Sequence, residues 1–341
     1  MPLRVFYTLC IPLIDIYILH PEIINELKIN HNSMTLYNQL SESNKHILEH
    51  YAQLPKSKNY YGGMSYNSCA EIAKQQKINA VFLGMFSTDN LSKSVFNQAI
   101  AGEIKNLLIV PEYINSESGK SFIIPNGKNR AMITKINEKQ KITDDLINKF
   151  LKLITESAKK PEPDTSALYI AGYTAESSNE PLLYLIKEKV RLNIQCMIIF
   201  NLADPGVVER SYTKIKPFIE AADWVIGNRE EFTSLYKTMC NKSSVNPDEL
   251  TDFINENFNN AVITDGSEPI TVFYTKNSDK NWITSKPPQI EVNNPTGAGD
   301  IFAATFFSNI LINSDDVLTA LNESIARTNQ YLTKMTVRTN K

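Results

Sequence analysis

The stretch VNNPTGAGDIFAATFF, residues 292–307, sets a proline, two glycines and an aspartate ahead of a strongly apolar run. The run reads as a buried helix and the small residues before it as the entry to that helix. Two uses fit such an entry. At a helix N-terminus the backbone N–H groups of Gly297, Ala298 and Gly299 lack intrahelical acceptors and form an anion site. With nothing larger than alanine at these positions, a phosphoryl group can approach the backbone, and Asp300 then stands beside the reacting centre as a carboxylate base. Alternatively Pro295 starts a turn, an ordinary buried helix follows, and Asp300 is a first-turn acid. The segment alone leaves both open.

Working outward, apolar runs bounded by turn residues recur as strand candidates: RVFYTLC (4–10), NAVFLGM (79–85), ALYIAGY (167–173), QCMIIFNL (195–202), WVIGN (224–228) and AVITDG (261–266). Between several of them lie helical patterns, as in NEPLLYLIKEKVR (179–191). This alternation predicts an α/β fold, a mostly parallel sheet covered by helices. Residues 13–60 and 110–137 break it. They are polar, rich in Asn, Ser and Lys, and read as extra strands, hairpins and loops that form one small lid from two segments. The expected division is therefore a large domain of 1–12, 61–109 and 138–341, and a discontinuous lid of 13–60 and 110–137. KKPEPDT (159–165) reads as a linker or exposed turn, and no internal repeat is evident.

Composition excludes several classes. A chain of 341 residues can bury a sizeable core. Lys plus Arg number 35 against 37 Asp plus Glu, a net charge of −2, so no general attraction to nucleic acid or an anionic membrane is expected. Cys10, Cys69, Cys196 and Cys240 lack metal-ligand spacing and read as reduced core thiols. The four histidines, His20, His31, His46 and His50, all fall in the first fifty residues. Acid–base chemistry in the C-terminal half must then use carboxylates. The apolar N-terminus alternates like a strand and carries Asp15, unlike a signal peptide, and no run reaches the about 18 apolar residues of a membrane span. A cytoplasmic location is expected.

Further motifs each carry two readings. SGKS (118–121) ends like a Walker A loop, but Ile114 stands where its first glycine belongs, and GxGxxG is absent, so neither a P-loop nor a Rossmann site is expected. In YYGGMSYNSCAEIAK (60–74), Gly62 and Gly63 permit close approach of a ligand and Asn67 can bond sugar hydroxyls; a helix-entry loop explains them too. In PLIDIY, Asp15 either faces solvent or holds a ligand. Asn228 and Glu231 of GNREEF lie three apart, one helical turn, and can order magnesium with its waters or simply cap a helix. Thr264 to Gly266 ends a strand, as a phosphate contact or a tight turn.

In their chain order, an Asp in the first strand region, GG…N, NxxE, TxG and then GAGD before a helix, the motifs resemble those of the ribokinase-like (PfkB) carbohydrate and nucleoside kinases, and most closely the adenosine kinases among them. The similarity runs from PLIDI to the helix after GAGD, with YIAGY, FNLADP and GNREEF as further context. It implies a ribokinase-like α/β domain with a β-rich lid. It also implies ATP and Mg2+ as cofactors, a nucleoside as small-molecule partner, a monomer, and transfer of the γ-phosphoryl group to a ribose 5′-hydroxyl in purine salvage. Asp300 matches the family's base, Gly297, Ala298 and Gly299 its anion hole, and Arg130 a lid arginine near the transferring phosphate. Asp15, Leu13, Gly62, Gly63 and Asn67 match positions that hold the ribose, with Tyr173 beside the base. Asn228 and Glu231 match the NxxE that orders magnesium and phosphate, while Asn201, Thr264 and Gly266 fall on the nucleotide side. The departures gather on the base side. Ile11 replaces an Asn, Met64 a Ser, and Thr174 and Gly206 two pocket aromatics, for which Tyr173 or Tyr66 can compensate. On the ATP side Asn294 and Pro295 replace Asp-Thr, and Gln330, Tyr331 and Leu332 replace small residues.

Overall fold

Wherever an apolar run of the sequence is followed by a helical pattern, the chain makes a strand and covers it. A computed structural model describes residues 3–30, 34–101, 104–126, 129–162, 164–292 and 295–339. The strands are β1 (Arg4–Cys10), β2 (Leu13–Tyr17), β3 (Met34–Leu36), β4 (Lys58–Gly62), β5 (Asn79–Ser87), β6 (Leu107–Ile114), β7 (Lys120–Asn126), β8 (Asn129–Lys135), β9 (Thr165–Ala171), β10 (Met197–Asn201), β11 (Trp224–Asn228), β12 (Ala261–Thr264), β13 (Ile270–Lys276) and β14 (Asp279–Ser285). The helices are α1 (Ile23–Leu27), α2 (Glu42–Ala52), α3 (Met64–Gln75), α4 (Asn90–Ala101), α5 (Asp144–Ala158), α6 (Gly172–Ser177), α7 (Asn179–Arg191), α8 (Pro205–Ala221), α9 (Arg229–Cys240), α10 (Pro247–Asn257), α11 (Ala298–Ile312) and α12 (Val317–Thr339).

A nine-stranded sheet runs β14-β13-β12-β11-β10-β9-β1-β5-β6, parallel except for β13 and β14 at one edge. Its central strands are apolar throughout because helices cover both faces. Phe6 of β1 sits between Ala80 of β5 and Ala167 of β9, a large side chain flanked by small ones. One apolar layer under the sheet includes Phe82, Tyr169, Phe302 and Phe306; the other includes Leu9, Phe150, Phe200 and Phe232. Helix α11 is buried on nearly every side, from Ile301 to Ser308 without a break, which is why its sequence carries almost no polar face.

A second sheet runs β3-β8-β7-β2-β4. Ile11 and Pro12 carry the chain from β1 of the large sheet into β2 of the small one, so one apolar N-terminal run serves two sheets. Two expectations change here. The polar segment 13–60 contains a helix, α2, started by Ser41, whose hydroxyl accepts from the Asn44 N–H at 3.2 Å. In addition β6 pairs with β5 through Ile114, so the large sheet extends past the expected boundary at residue 110, and the small sheet resumes only at Lys120. SGKS leads into β7, a strand, which agrees with rejecting a P-loop. Cys10, Cys69 and Cys196 are buried and Cys240 is exposed; all four thiols are free. No helix among the described residues is long and apolar enough to cross a membrane.

Candidate active site at the head of helix 11

The parallel strands β1, β9, β10, β11 and β12 end on the same edge of the sheet, where open α/β folds place their ligands. Into that edge α11 brings its N-terminus. Gly297 is its N-cap, at φ 83°, a left-handed conformation suited to glycine. The Ala298 N–H closes the turn onto Pro295 O at 3.1 Å, so it is engaged within the protein. The next two amides of the first turn are those of Gly299 and Asp300. A Cβ added to Gly299 would meet no atom within 4 Å, so the approach over it is open. Asn294 lies outside the described residues.

Asp300 is the third residue of α11 and meets groups from two other elements. The Asn67 side-chain amide, from α3, donates to Asp300 Oδ2 at 2.9 Å, and the Ser68 hydroxyl donates to the Asp300 carbonyl at 3.3 Å. Arg130, from β8 of the small sheet, acts on Asp300 electrostatically. Burial pushes the Asp300 carboxyl up to about 7; the Asn67 bond and the Arg130 charge both oppose that rise. Burial lowers the Arg130 guanidinium, against the opposing electrostatic pull of Tyr17, Asp300, Tyr173 and Tyr331.

Asp15, on β2, lies within electrostatic range of Asp300. Its carboxyl is pushed up to about 7, first by burial and then by the charge of Asp300. It lies over Gly62, where a Cβ would fall 2.0 Å from Asp15 Oδ2, so glycine is required there by close approach. Gly63, at φ 97°, caps α3 and turns the chain so that Asn67 faces Asp300. Leu13 pairs with Gly62 across β2 and β4. The structure therefore brings Leu13, Asp15, Gly62, Gly63, Asn67, Arg130 and Asp300 together.

The NxxE pair lies along the same edge and is a reciprocal capping box. Asn228 Oδ1 accepts from the Glu231 N–H at 2.8 Å, while Glu231 accepts from the Asn228 backbone N–H at 2.9 Å and from Asn228 Nδ2 at 2.8 Å. Glu231 is 6% exposed, and burial pushes its carboxyl up to about 7 against the Asn228 backbone bond. With both its oxygens and Asn228 Oδ1 engaged, the pair suits a cation held through water better than a direct chelate. Among the described residues no cluster of three or more His, Cys, Asp or Glu could hold a metal ion. Gly266, at φ 58°, leaves open space where a Cβ would stand, and neighbouring Asp265 pairs with Arg229. The Thr264 hydroxyl donates to Gly227 O over 3.5 Å.

Two predicted residues are used differently. Asn201 is 8% exposed and spends both ends of its amide internally, Nδ2 donating to the Tyr169 hydroxyl at 2.6 Å and Oδ1 accepting from the Ala203 N–H at 2.9 Å. It braces Tyr169, which also lies within hydrogen-bonding reach of Ser68 and feels the Asp300 charge. Tyr173 turns its hydroxyl to Asp204, near Arg210 and Glu231, and is not paired with Asp15 or Asn67. Thr174 is buried, within hydrogen-bonding reach of the Cys10 thiol. A side chain at Gly206 would meet Asp204 Oδ1 at 2.8 Å and Arg210 Nη1 at 3.0 Å.

Sequence reading missed Ser68, Tyr169, Asp204 and Arg210. Ser68 had a signal, lying beside Asn67; the others come together only in three dimensions.

The arrangement is that of a phosphotransferase, and comparison with known proteins gives its class: residues 38–321 match the pfkB family carbohydrate kinases, and the chain belongs to that family. ATP is the donor that the class implies. Among solved structures, adenosine kinase from Schistosoma mansoni in complex with 2-fluoroadenosine matches with a TM-score of 0.79 at 18% identity, over 96% of this chain and 94% of that one. Adenosine kinase from Anopheles gambiae, in complex with P1,P4-di(adenosine-5) tetraphosphate, matches with a TM-score of 0.78 at 17% identity, over 96% and 95%. A probable sugar kinase from Rhizobium etli matches with a TM-score of 0.73 at 17% identity, over 96% and 92%. At these identities the likeness is one of fold. No curated protein sequence matches the chain.

Proposed function

We propose that this kinase transfers the γ-phosphoryl group of ATP to the 5′-hydroxyl of a ribose-bearing acceptor, with adenosine the first acceptor to test. The single observation that carries this is Asp300: a desolvated carboxylate at the head of α11, held by Asn67 and faced by Arg130, beside an open approach over Gly299. The ATP–magnesium pair would supply the electrophilic phosphorus and neutralise its oxygens. On the protein side, the Gly299 and Asp300 amides would hold phosphoryl oxygens and Arg130 would balance charge that builds in the transition state. Asp300 would take the proton from the acceptor hydroxyl at a carboxylate oxygen. Asp15 and Asn67 would hold sugar hydroxyls, with Leu13, Gly62 and Gly63 shaping the close approach. Thr264 and Gly266 would border the donor, and Glu231, fixed by Asn228, would reach magnesium through water. The segments that build the small sheet would act as a lid that excludes water when the site is filled.

One observation favours a second acceptor class. The wall formed after β9 and β10 is polar: Thr174 is buried, Tyr173 turns its hydroxyl to Asp204, and the space beside Gly206 is bordered by Asp204 and Arg210, the latter paired with Glu176 through two bonds of 2.7 Å. Loss of base stacking costs about 1–3 kcal/mol per base, so a polar wall suits a plain sugar or a different nucleoside. Phosphate transfer from labelled ATP to adenosine, other nucleosides, ribose and fructose separates the two. Preference for adenosine supports the first; preference for a sugar replaces it. Turnover of none of them removes both.

A further inference from the structure

We propose that Tyr331, on the C-terminal helix α12, is a contact for the triphosphate of the donor; this rests on the kinase function proposed above. Its hydroxyl donates to the Thr296 carbonyl at 2.9 Å, immediately before the α11 cap. A Cβ on Gly297 would lie 2.9 Å from the same hydroxyl oxygen. Tyr331 thus covers one flank of the turn whose other flank, over Gly299, stays open. From the small sheet, Arg130 and Tyr17 both feel the Tyr331 phenol, and Arg130 also feels Asp300. The phenol thus touches the turn that leads into α11 and lies within electrostatic range of the small sheet. A phosphate chain held by the amides at the head of α11 would lie against the turn that the Tyr331 hydroxyl bonds at Thr296 O, with Arg130 in electrostatic range of both the phenol and Asp300.

The chemistry favours an exchange of partners. A phenol keeps its proton at neutral pH and donates a single hydrogen bond. Its present acceptor, Thr296 O, is neutral, whereas a phosphate oxygen is charged and makes the stronger bond. With the donor bound, the hydroxyl turns from Thr296 O to a phosphate oxygen; no proton is transferred and no covalent bond changes. The residue at 331 would then help set how tightly the donor is held, without touching the acceptor.

Tyr331→Phe keeps the ring over Gly297 and removes only the hydroxyl. Calorimetric titration with tripolyphosphate, which carries the phosphates without adenine, tests the contact without turnover. The expected result is binding about tenfold weaker in Y331F, as for a lost hydrogen bond to a charged group. The KM for ATP should rise by a similar factor while the KM for the acceptor stays unchanged. Tripolyphosphate binding as tight in Y331F as in the native chain would overturn the contact, and so would a native chain that does not bind it at all. The two proposals fail separately. A chain that binds tripolyphosphate in a Tyr331-dependent way but phosphorylates no acceptor keeps the contact and loses the kinase function proposed above. An active enzyme indifferent to Y331F loses the contact alone.

Discussion

The heads of α11 and α9 carry the same kind of group at the same position and use it in opposite ways. Asp300 and Glu231 are each the third residue of a helix, and burial pushes each carboxyl up to about 7. The difference lies in the cap. Asn228 has a side chain that exchanges hydrogen bonds with Glu231, so that carboxylate is committed to the helix end. Gly297 has none, so Asp300 cannot be drawn into a capping box and is held instead by Asn67 from another helix. A glycine cap leaves the acid outside a capping box, as the proposed role of Asp300 requires; an asparagine cap fixes it in place. Raised carboxyls are therefore common to both heads, and geometry separates their roles.

The sharpest way to break the comparison is to neutralise both acids. Asp300→Asn should lower kcat by about 10²–10⁴, the range for a general base, with acceptor binding largely kept in equilibrium titrations. Native-like turnover in that variant would remove Asp300 as the base. Glu231→Gln should act through the cation instead: the Mg2+ concentration for half-maximal velocity should rise about tenfold, the lower end for an outer-sphere group. An unchanged magnesium titration would leave Glu231 a purely structural cap.

Smaller effects sharpen the contrast further. Asn228→Ala removes the box and strips partners from a buried carboxylate, so chemical denaturation should show a loss of about 1–3 kcal/mol. A variant as stable as the native chain would show that the box contributes nothing. The pH dependence of stability supplies the last test. Because the folded-state carboxyl of Asp300 lies above its unfolded value, its contribution is fully present below about pH 4 and is lost as pH rises through about 7. Asp300→Asn should therefore be more thermostable than the native chain at pH 8, with the gain shrinking toward pH 5. A gain that grows toward acid would reverse the sign of the shift.

Much of this was legible in the sequence because it is local. RVFYTLC is β1 residue for residue, NEPLLYLIKEKVR is α7, and GAGD, GG…N and NxxE mark turns whose residues are neighbours in the chain. Less local features were hidden. Helix α2 went unread because its few apolar residues, Ile47 and Leu48 with Tyr51, sit in a polar segment and pack inward only in the presence of the small sheet. Tyr169 read as an ordinary strand residue and Asn201 as a residue of the nucleotide side, and their bond, which joins two parallel strands, was hidden. Tyr173 looked like a substitute platform, but its hydroxyl finds Asp204, which a linear pattern does not disclose. Tyr331 appeared as bulk on a helix; only the fold brings its hydroxyl to Thr296, 35 residues earlier.

The central claim, that Asp300 is the acid freed for chemistry, is tested most directly by kcat as a function of pH from about 5.5 to 8.5, in the native chain and in Asp300→Asn. In the native enzyme kcat should climb through an inflection near 7, where the carboxyl becomes ionised, and the residual rate of the variant should lack that inflection. A native profile that is flat across this range, or an inflection that persists after Asp300 is replaced, would contradict it.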